Sequence, residues 1–258
     1  MEIQLIRHAT LRVRFDELML LVDPMLGDKA SMAPIADSAD PQPNPLVPLP
    51  MPVSEILHGI GAVLVTHVHR DHWDDAATEL IPRTMRIICQ PPDMAFFRKL
   101  GFADVRPVHS AVAIGMTSIA RTPGEHGTGE IGKKMAPVCG YMLRSLAGES
   151  LYLAGDTILC HAVRRTLKEF APQVTVLNCG GARFLEGDPI TMTAEEVGEV
   201  ARTTPETQVI AVHMEAINHC GVHRVELKRH LVPLDLQRPV LVPRDGELLV
   251  IPAATLQP

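Results

Sequence analysis

The sequence predicts a mixed fold, α/β or α+β, built as one unit over residues 1–258. Three observations lead there. Short runs of strand character, alternating or wholly apolar, recur along the chain. Helical patterns with recognisable caps lie between them. No fixed-period repeat divides the sequence, and its one low-complexity tract is a block of prolines.

Taken in order, Glu2–Ile6 and Leu11–Phe15 alternate polar and apolar residues, and Leu18–Val22 is a continuous apolar run stopped by Asp23-Pro24. Seven prolines lie between Pro34 and Pro52. Because proline fixes φ and removes a donor, segment 34–52 is expected as a long surface loop crossing one end of the domain. Ala62–Thr66 reads as a buried strand ending in a histidine-rich loop, Asp74–Leu80 as a helix and Arg86–Cys89 as a strand. Asp93–Leu100 is helical and closed by Gly101. Strand patterns then dominate from Val108 to Leu153, interrupted by the Gly-rich stretch Thr122–Gly132. Leu159–Phe170 is helical and Val174–Leu177 a buried strand, and Thr193 and Glu196 match a capping box at the start of helix Thr193–Arg202. Val209–Val212 is a short strand, followed by a helix around Val222–Leu231 and closing strands near Val240 and Leu248.

Composition narrows the function classes. With 24 Lys and Arg against 30 Asp and Glu, the formal charge is −6, which offers no basic footprint for phosphate backbones. Nucleic acid is therefore not an expected partner. The 5 cysteines are scattered and never spaced Cys-x-x-Cys, as expected in a reducing cytosol. The N-terminal residues lack an apolar signal core, and no apolar stretch approaches the ~20 residues of a membrane helix. The expectation is a cytoplasmic protein with no membrane partner, acting on a small molecule; self-association into a homo-oligomer stays open.

The 12 histidines carry the chemistry. His67, His69, Asp71 and His72 fall within six residues at the end of a buried strand. Imidazole and carboxylate suit Zn, Fe or Mn. On a rigid strand end, His67 and His69 can point one way while Asp71 and His72 turn another, so the loop can serve two adjacent ions. Four residues do not fill two metal shells, which predicts further ligands at later strand ends. His126 lies in Pro-Gly-Glu-His-Gly, Asp156 follows Leu151–Ala154, and His213 follows Val209–Val212.

His-x-His-x-Asp-His followed by a lone His, a Gly-Asp and a further His resembles the metallo-β-lactamase fold superfamily, and Leu20-Leu-Val-Asp23-Pro resembles its early strand-ending aspartate. The resemblance implies a four-layer αβ/βα sandwich with two divalent metal ions, zinc first and Mn or Fe as alternatives, in a cleft at one sheet edge. It assigns His67, His69 and His126 to one ion, Asp71, His72 and His213 to the other, and Asp156 to both. Within the superfamily, Ile6-Arg-His8-Ala-Thr10 and the Val-Asp-Pro turn are similar to the branch holding L-ascorbate-6-phosphate lactonase and metal-dependent hydrolases. Leu159 replaces the tyrosine of acyl-homoserine-lactone lactonases, which argues against that substrate.

The implied activity is hydrolysis of a small ester, lactone, amide, thioester or phosphodiester by hydroxide activated between two metals. Asp156, Asp71 and His219 are the expected catalytic groups, and Asp23 is a candidate acceptor for a ligand imidazole N–H. Glu215 and Asn218 are candidates for facing the cleft, Arg183 and Arg224 for pairing with a substrate anion, and His8 for reaching the site from a strand start. Segments 34–52 and 214–223 are expected to shape the pocket. His58, His109, His161, His223 and His230 are read as surface or structural, and Cys220 as a buried thiol. The alternative function is an iron-dependent oxidoreductase in the same pocket, because His and Asp ligands do not distinguish iron from zinc.

Overall fold

The computed structural model of the chain describes residues 1–252. The first sheet takes β1 (Glu2–Arg7), β2 (Thr10–Phe15), β3 (Leu18–Val22), β4 (Ala62–Val65), β5 (Ile87–Cys89) and β6 (Val105–Pro107), with β13 (Leu248–Val250) on its outer edge. Their order is β13-β1-β2-β3-β4-β5-β6. β1, β2 and β3 pair antiparallel, and β3 through β6 pair parallel. The second sheet holds β7 (Ala111–Ile114), β8 (Thr117–Pro123), β9 (Cys139–Arg144), β10 (Ser150–Leu153), β11 (Val174–Asn178) and β12 (Gln208–Val212), ordered β12-β11-β10-β9-β8-β7. In it β7 to β10 are antiparallel, and β10, β11 and β12 are parallel.

The two inner faces meet in an apolar core. Ile3, Leu5, Val13, Leu20 and Leu64 from the first sheet pack with Ile119, Leu143, Leu153, Val176 and Ile210 from the second. The parallel strands are apolar on both sides because helices cover their outer faces. Val63 and Val65 face away from that core, toward Ile56 of α1 (Val53–Leu57), Ala77 of α2 (Asp75–Leu80) and Phe97 of α3 (Met94–Lys99). On the other side, Leu177, Val209 and Ala211 pack against α5 (His161–Phe170), α6 (Ala194–Thr203) and α7 (Arg224–Leu231). This is the four-layer αβ/βα sandwich.

Local chemistry sets the element ends. Asp74 caps α2 by accepting from Ala77 N at 2.7 Å, and its other oxygen accepts from Gly27 N at 2.7 Å. The expected capping box of α6 is present in both directions, with Thr193 N donating to Glu196 and Glu196 N to Thr193.

Two expectations are corrected. The Gly-rich stretch runs on into a helix, α4 (Gly129–Met135), which fully buries no residue and so left too short an apolar stripe to read. The strand near Val240 reduces to a single bridge between Leu241 and Ile210, since Pro239 and Pro243 remove the donors a longer pairing needs.

The 34–52 segment crosses the end of the sandwich as a largely exposed loop. It is tied down at Asn44, whose Nδ2 donates to Asn218 Oδ1 at 2.8 Å and whose Oδ1 accepts from Asn218 N at 2.9 Å.

Candidate metal centre

Strand direction gathers the chemistry at one edge. β3 and β4 are parallel; β8 runs with β10 because β9 is antiparallel to both, and β10, β11 and β12 are parallel. His67, His69, Asp71 and His72 follow β4, His126 follows β8, Asp156 follows β10 and His213 follows β12. Carboxyl ends of parallel strands are where α/β proteins build their sites. Two glycines make the close approach feasible. Gly127, at φ +99°, packs where a Cβ would lie 2.8 Å from Ile190 Cγ2, and Gly155, at φ +67°, where it would lie 2.5 Å from Cys139 O.

The seven residues meet in two adjoining groups. The ligand-type atoms of His67, His69 and His126 lie within 4.8 Å of one another, and so do those of Asp71, His72, His213 and His8. Asp156 sits between the groups. Its Oδ2 is 3.4 Å from His126 Nε2 and 3.3 Å from His72 Nε2, and its Oδ1 is 3.2 Å from His213 Nε2. His67 Nε2 is buried without a hydrogen-bond partner. An orphaned imidazole nitrogen among nitrogen and oxygen donors fits a divalent cation of the zinc, iron or manganese type.

Outer partners orient the rings. His72 Nδ1 donates to Asp23 Oδ2 at 2.8 Å, and Asp23 also accepts from Thr66 N at 2.8 Å and Thr66 Oγ1 at 2.7 Å. His126 Nδ1 donates to Ile190 O at 2.7 Å, and Asn178 Nδ2 donates to Asp156 Oδ1 at 2.8 Å. Each bond turns the opposite atom of its ring or carboxylate toward the cluster. Three backbones here are left-handed although none is glycine: His8 at φ +61°, Asp23 at +44° and His213 at +72°. Such conformations cost of order 1–3 kcal/mol and concentrate at functional sites.

The electrostatics follow from burial and crowding. Burial, with His72 and His69 beside it, pulls His67 well below the usual imidazole range. His72 is also disfavoured by burial, but Asp156, Asp71 and Asp23 outweigh that and push it up to about 10. Burial would raise Asp156, yet His213, His72 and His126 hold it well below the usual carboxylate range. The proton held on His72 stands where a cation's charge would act.

His8 is the residue that sequence reasoning underrated. It follows β1, and its Nε2 lies 3.1 Å from Asp71 Oδ2. Its ring centroid is 3.6 Å from that of His213, and its carbonyl accepts from His213 N at 3.0 Å. Arg7 beside it was not foreseen. It is fully buried and donates to the carbonyls of Met25, Gly27 and Val47 at 2.8–3.0 Å, lacing the loop after β3 to the Pro-rich segment.

Other expectations are corrected. Glu215 lines the cavity beside the cluster but is not a free charge there: it pairs with Arg224, which also pairs with Asp245. Asn218 lines the same cavity and also fastens the loop, its amide donating to Ile35 O and its Oδ1 accepting from Ile35 N. Arg183 is exposed at a cavity rim, and His219, only 8% exposed, lines the same cavity. Cys220 is buried with its Sγ 3.7 Å from His213 Nδ1, and burial raises its thiol.

With the geometry in place, comparison with known proteins identifies the family. The pattern described as the beta-lactamase superfamily domain matches residues 19–214. The chain belongs to that family. The UPF0173 protein YddR of Bacillus subtilis (strain 168) is 35% identical over 250 residues, covering 96% of this chain and 98% of its own. Among solved structures, an isothiocyanate hydrolase from Delia radicum gut bacteria aligns with a TM-score of 0.93 at 34% identity, over 98% of this chain and 100% of that one. A possible metal-dependent hydrolase from Veillonella parvula DSM 2008 aligns with the same TM-score of 0.93 at 30% identity, over 97% and 99%. These matches show the superfamily; the finer likeness to L-ascorbate-6-phosphate lactonase is not among what they show. No helix among the described residues is long and apolar enough to cross a membrane.

Proposed function

We propose that the chain, acting as one domain in the cytosol, is a dinuclear metal-dependent hydrolase of a small electrophilic molecule. The observation that carries this is the pair of adjoining ligand groups sharing Asp156, with His67 Nε2 left bare between them. In this reading His67, His69 and His126 hold one ion, Asp71, His72 and His213 the other, and Asp156 both, with zinc the expected metal. Bound divalent ions supply a water acidic enough to ionise near neutral pH and a positive field for the oxyanion that develops.

The chain's own groups do the rest. Asp156 fixes the attacking water between the two halves. Asp71 Oδ2 takes up and passes on its proton, held in place by His8 Nε2 at 3.1 Å. His219, pulled down to about 4 by burial, is a neutral imidazole at pH 7, able to donate one N–H to the developing anion. Esters, lactones, amides, thioesters and phosphodiesters fit this chemistry. So does the central carbon of an isothiocyanate, which the full-length likeness to an isothiocyanate hydrolase makes the first substrate to assay. Addition of water there gives a thiocarbamate, which breaks to an amine and carbonyl sulfide.

The test is elemental analysis of protein purified without chelator, followed by turnover assays on isothiocyanates, lactones, esters and phosphodiesters. About two zinc or manganese per chain with chelator-sensitive hydrolysis is the expected result. A single iron per chain, or full activity in metal-free protein, overturns it.

A further inference from the structure

A neutral imidazole that gives one nitrogen to an ion must carry its proton on the other, where an acceptor can hold it. Three of the rings in the cluster meet an oxygen there: His67 Nδ1 lies 3.0 Å from Thr66 Oγ1, His72 Nδ1 2.8 Å from Asp23 Oδ2, and His126 Nδ1 2.7 Å from Ile190 O. Thr66 Oγ1 already donates to Asp23, so toward His67 it accepts. His213 is different. Its Nε2 faces Asp156 Oδ1 at 3.2 Å, and the group at its Nδ1 is a sulfur, Cys220 Sγ, at 3.7 Å.

The place of that sulfur is fixed from both sides. A Cβ on Gly180 would stand 2.8 Å from Cys220 Sγ and 2.3 Å from His213 O, so only glycine leaves room for the contact. Cys220 forms a bridge with Ala182, its N–H donates to Ile217 O at 3.1 Å, and Val222 N donates to Gly180 O at 2.8 Å. The loops after β11 and β12 therefore cross at Cys220 and press its side chain on the ring. The neighbouring thiol, Cys179, is also buried but donates to Val212 O instead. Among the described residues Cys220 joins none of the groups of ligand-type atoms, which sets it behind His213 rather than beside the ions.

His8 cannot do the same work. Its ring, 3.6 Å from that of His213 between centroids, fixes the plane of the His213 ring but not which way round it lies. An imidazole turned over about its Cβ–Cγ bond keeps its plane and presents carbon where Nε2 was. Only a partner at Nδ1 tells the two orientations apart.

We propose that Cys220 is the positioning residue of His213: its sulfur accepts the Nδ1 proton, selects the orientation that presents Nε2, and so governs how firmly the second ion is held. The inference rests on the hydrolase reading and extends it to a residue outside the ligand set.

Two measurements on zinc-reconstituted protein test this, neither needing a substrate. In the first, competition with a chromophoric chelator reads the two zinc affinities separately. Cys220→Ala should weaken the second zinc about 10-fold or more and leave the first within about 2-fold, and Cys220→Ser, which restores an acceptor, should recover most of the loss. Cys160→Ala is the control and should change neither affinity, because Cys160 is equally withdrawn from water, at 7% exposure, but meets Thr157 rather than an imidazole. In the second, NMR of isotopically labelled histidines follows the ring N–H groups: one Nδ1–H signal should exchange faster with water in Cys220→Ala and be restored in Cys220→Ser. Circular dichroism checks that the variants fold. An unchanged second affinity in Cys220→Ala, equal weakening of both ions, or a Cys220→Ser no better than Cys220→Ala overturns the assignment. A chain that binds a single zinc, with its affinity and the Nδ1–H signal following the same pattern, upholds the role of Cys220 and defeats only the dinuclear reading. A chain that binds none defeats both.

Discussion

Asp156 and Asp93 are both withdrawn from water, at 3% and 5% exposure, and burial by itself pushes each carboxyl up. They end on opposite sides of the ordinary value. Asp156, among His213, His72 and His126, is held well below it; Asp93, on the turn before α3 with Gln90 as its hydrogen-bond donor, rises to about 6. The difference lies in the company each keeps. At the strand-end cluster, buried negative charge is met by imidazoles arranged around a shared point, the condition under which a cation is held. At Asp93 burial meets one neutral amide, and the carboxyl keeps its proton up to about pH 6 instead.

The comparison breaks most completely if the cluster's centre is removed. Asp156→Ala takes away the group facing both halves, and His67→Ala takes away the bare nitrogen. Each should lower turnover on the order of 10³-fold or more, with metal content falling from about two per chain toward one or none. The fold should survive, because the intersheet core beneath contains neither residue. Elemental analysis and circular dichroism on the same samples decide it; unchanged metal content in Asp156→Ala would falsify the shared-ligand assignment.

Substitutions one layer out should act less strongly and on one half only. His8→Asn tolerates the left-handed backbone but removes the ring against His213 and the partner of Asp71. The second ion should be lost about 10–100-fold more readily on dialysis, with the first retained. Asp23→Asn likewise suits its φ of +44° and leaves His72 Nδ1 facing a neutral oxygen, so an effect of similar size is expected on the same half. Equal loss of both ions in either variant would show that the halves are not separable.

How much of this was legible in the sequence depended on whether chemistry and local pattern coincided. His67, His69, Asp71 and His72 could be read because four ligand-type groups follow one apolar run, and His126, Asp156 and His213 because each follows a strand. Asp23 was visible as a strand-ending acid, although its partner, His72, lies 49 residues away in sequence. His8 was harder. Its place beside Asp71 and His213 comes from the turn between β1 and β2 meeting the loops after β4 and β12, a long-range approach that no local pattern reports. Arg224 misled for the opposite reason: it lies near the cluster in sequence, yet its ion pairs with Glu215 and Asp245 use up the charge a substrate anion would need. The helix α4 escaped notice because it fully buries no residue; only Ile131 and Met135 pack, half-buried, on the core, too short a stripe to read.

The smallest effect concerns Asp93 itself. Its folded pKa of about 6 stands above the ~3.9 of an unperturbed aspartate, so between pH 4 and 6 the folded chain binds more protons than the unfolded one. Stability from this residue is therefore present below about pH 4, falls as pH rises to about 6, and is flat above. Asp93→Asn keeps an oxygen to accept from Gln90 Nε2, now at 3.0 Å, and cannot ionise. The variant should gain about 1 kcal/mol at pH 7 and nothing at pH 4, a discounted figure because exposed neighbours such as Pro92 and Ala95 leave water near enough to screen the charge. Urea unfolding of both proteins at the two pH values measures this, and the cluster's own protonation cancels in the difference. A gain equal at both pH values would mean that packing, not charge, separates the variants, and that burial at Asp93 is not the opposite of burial at Asp156.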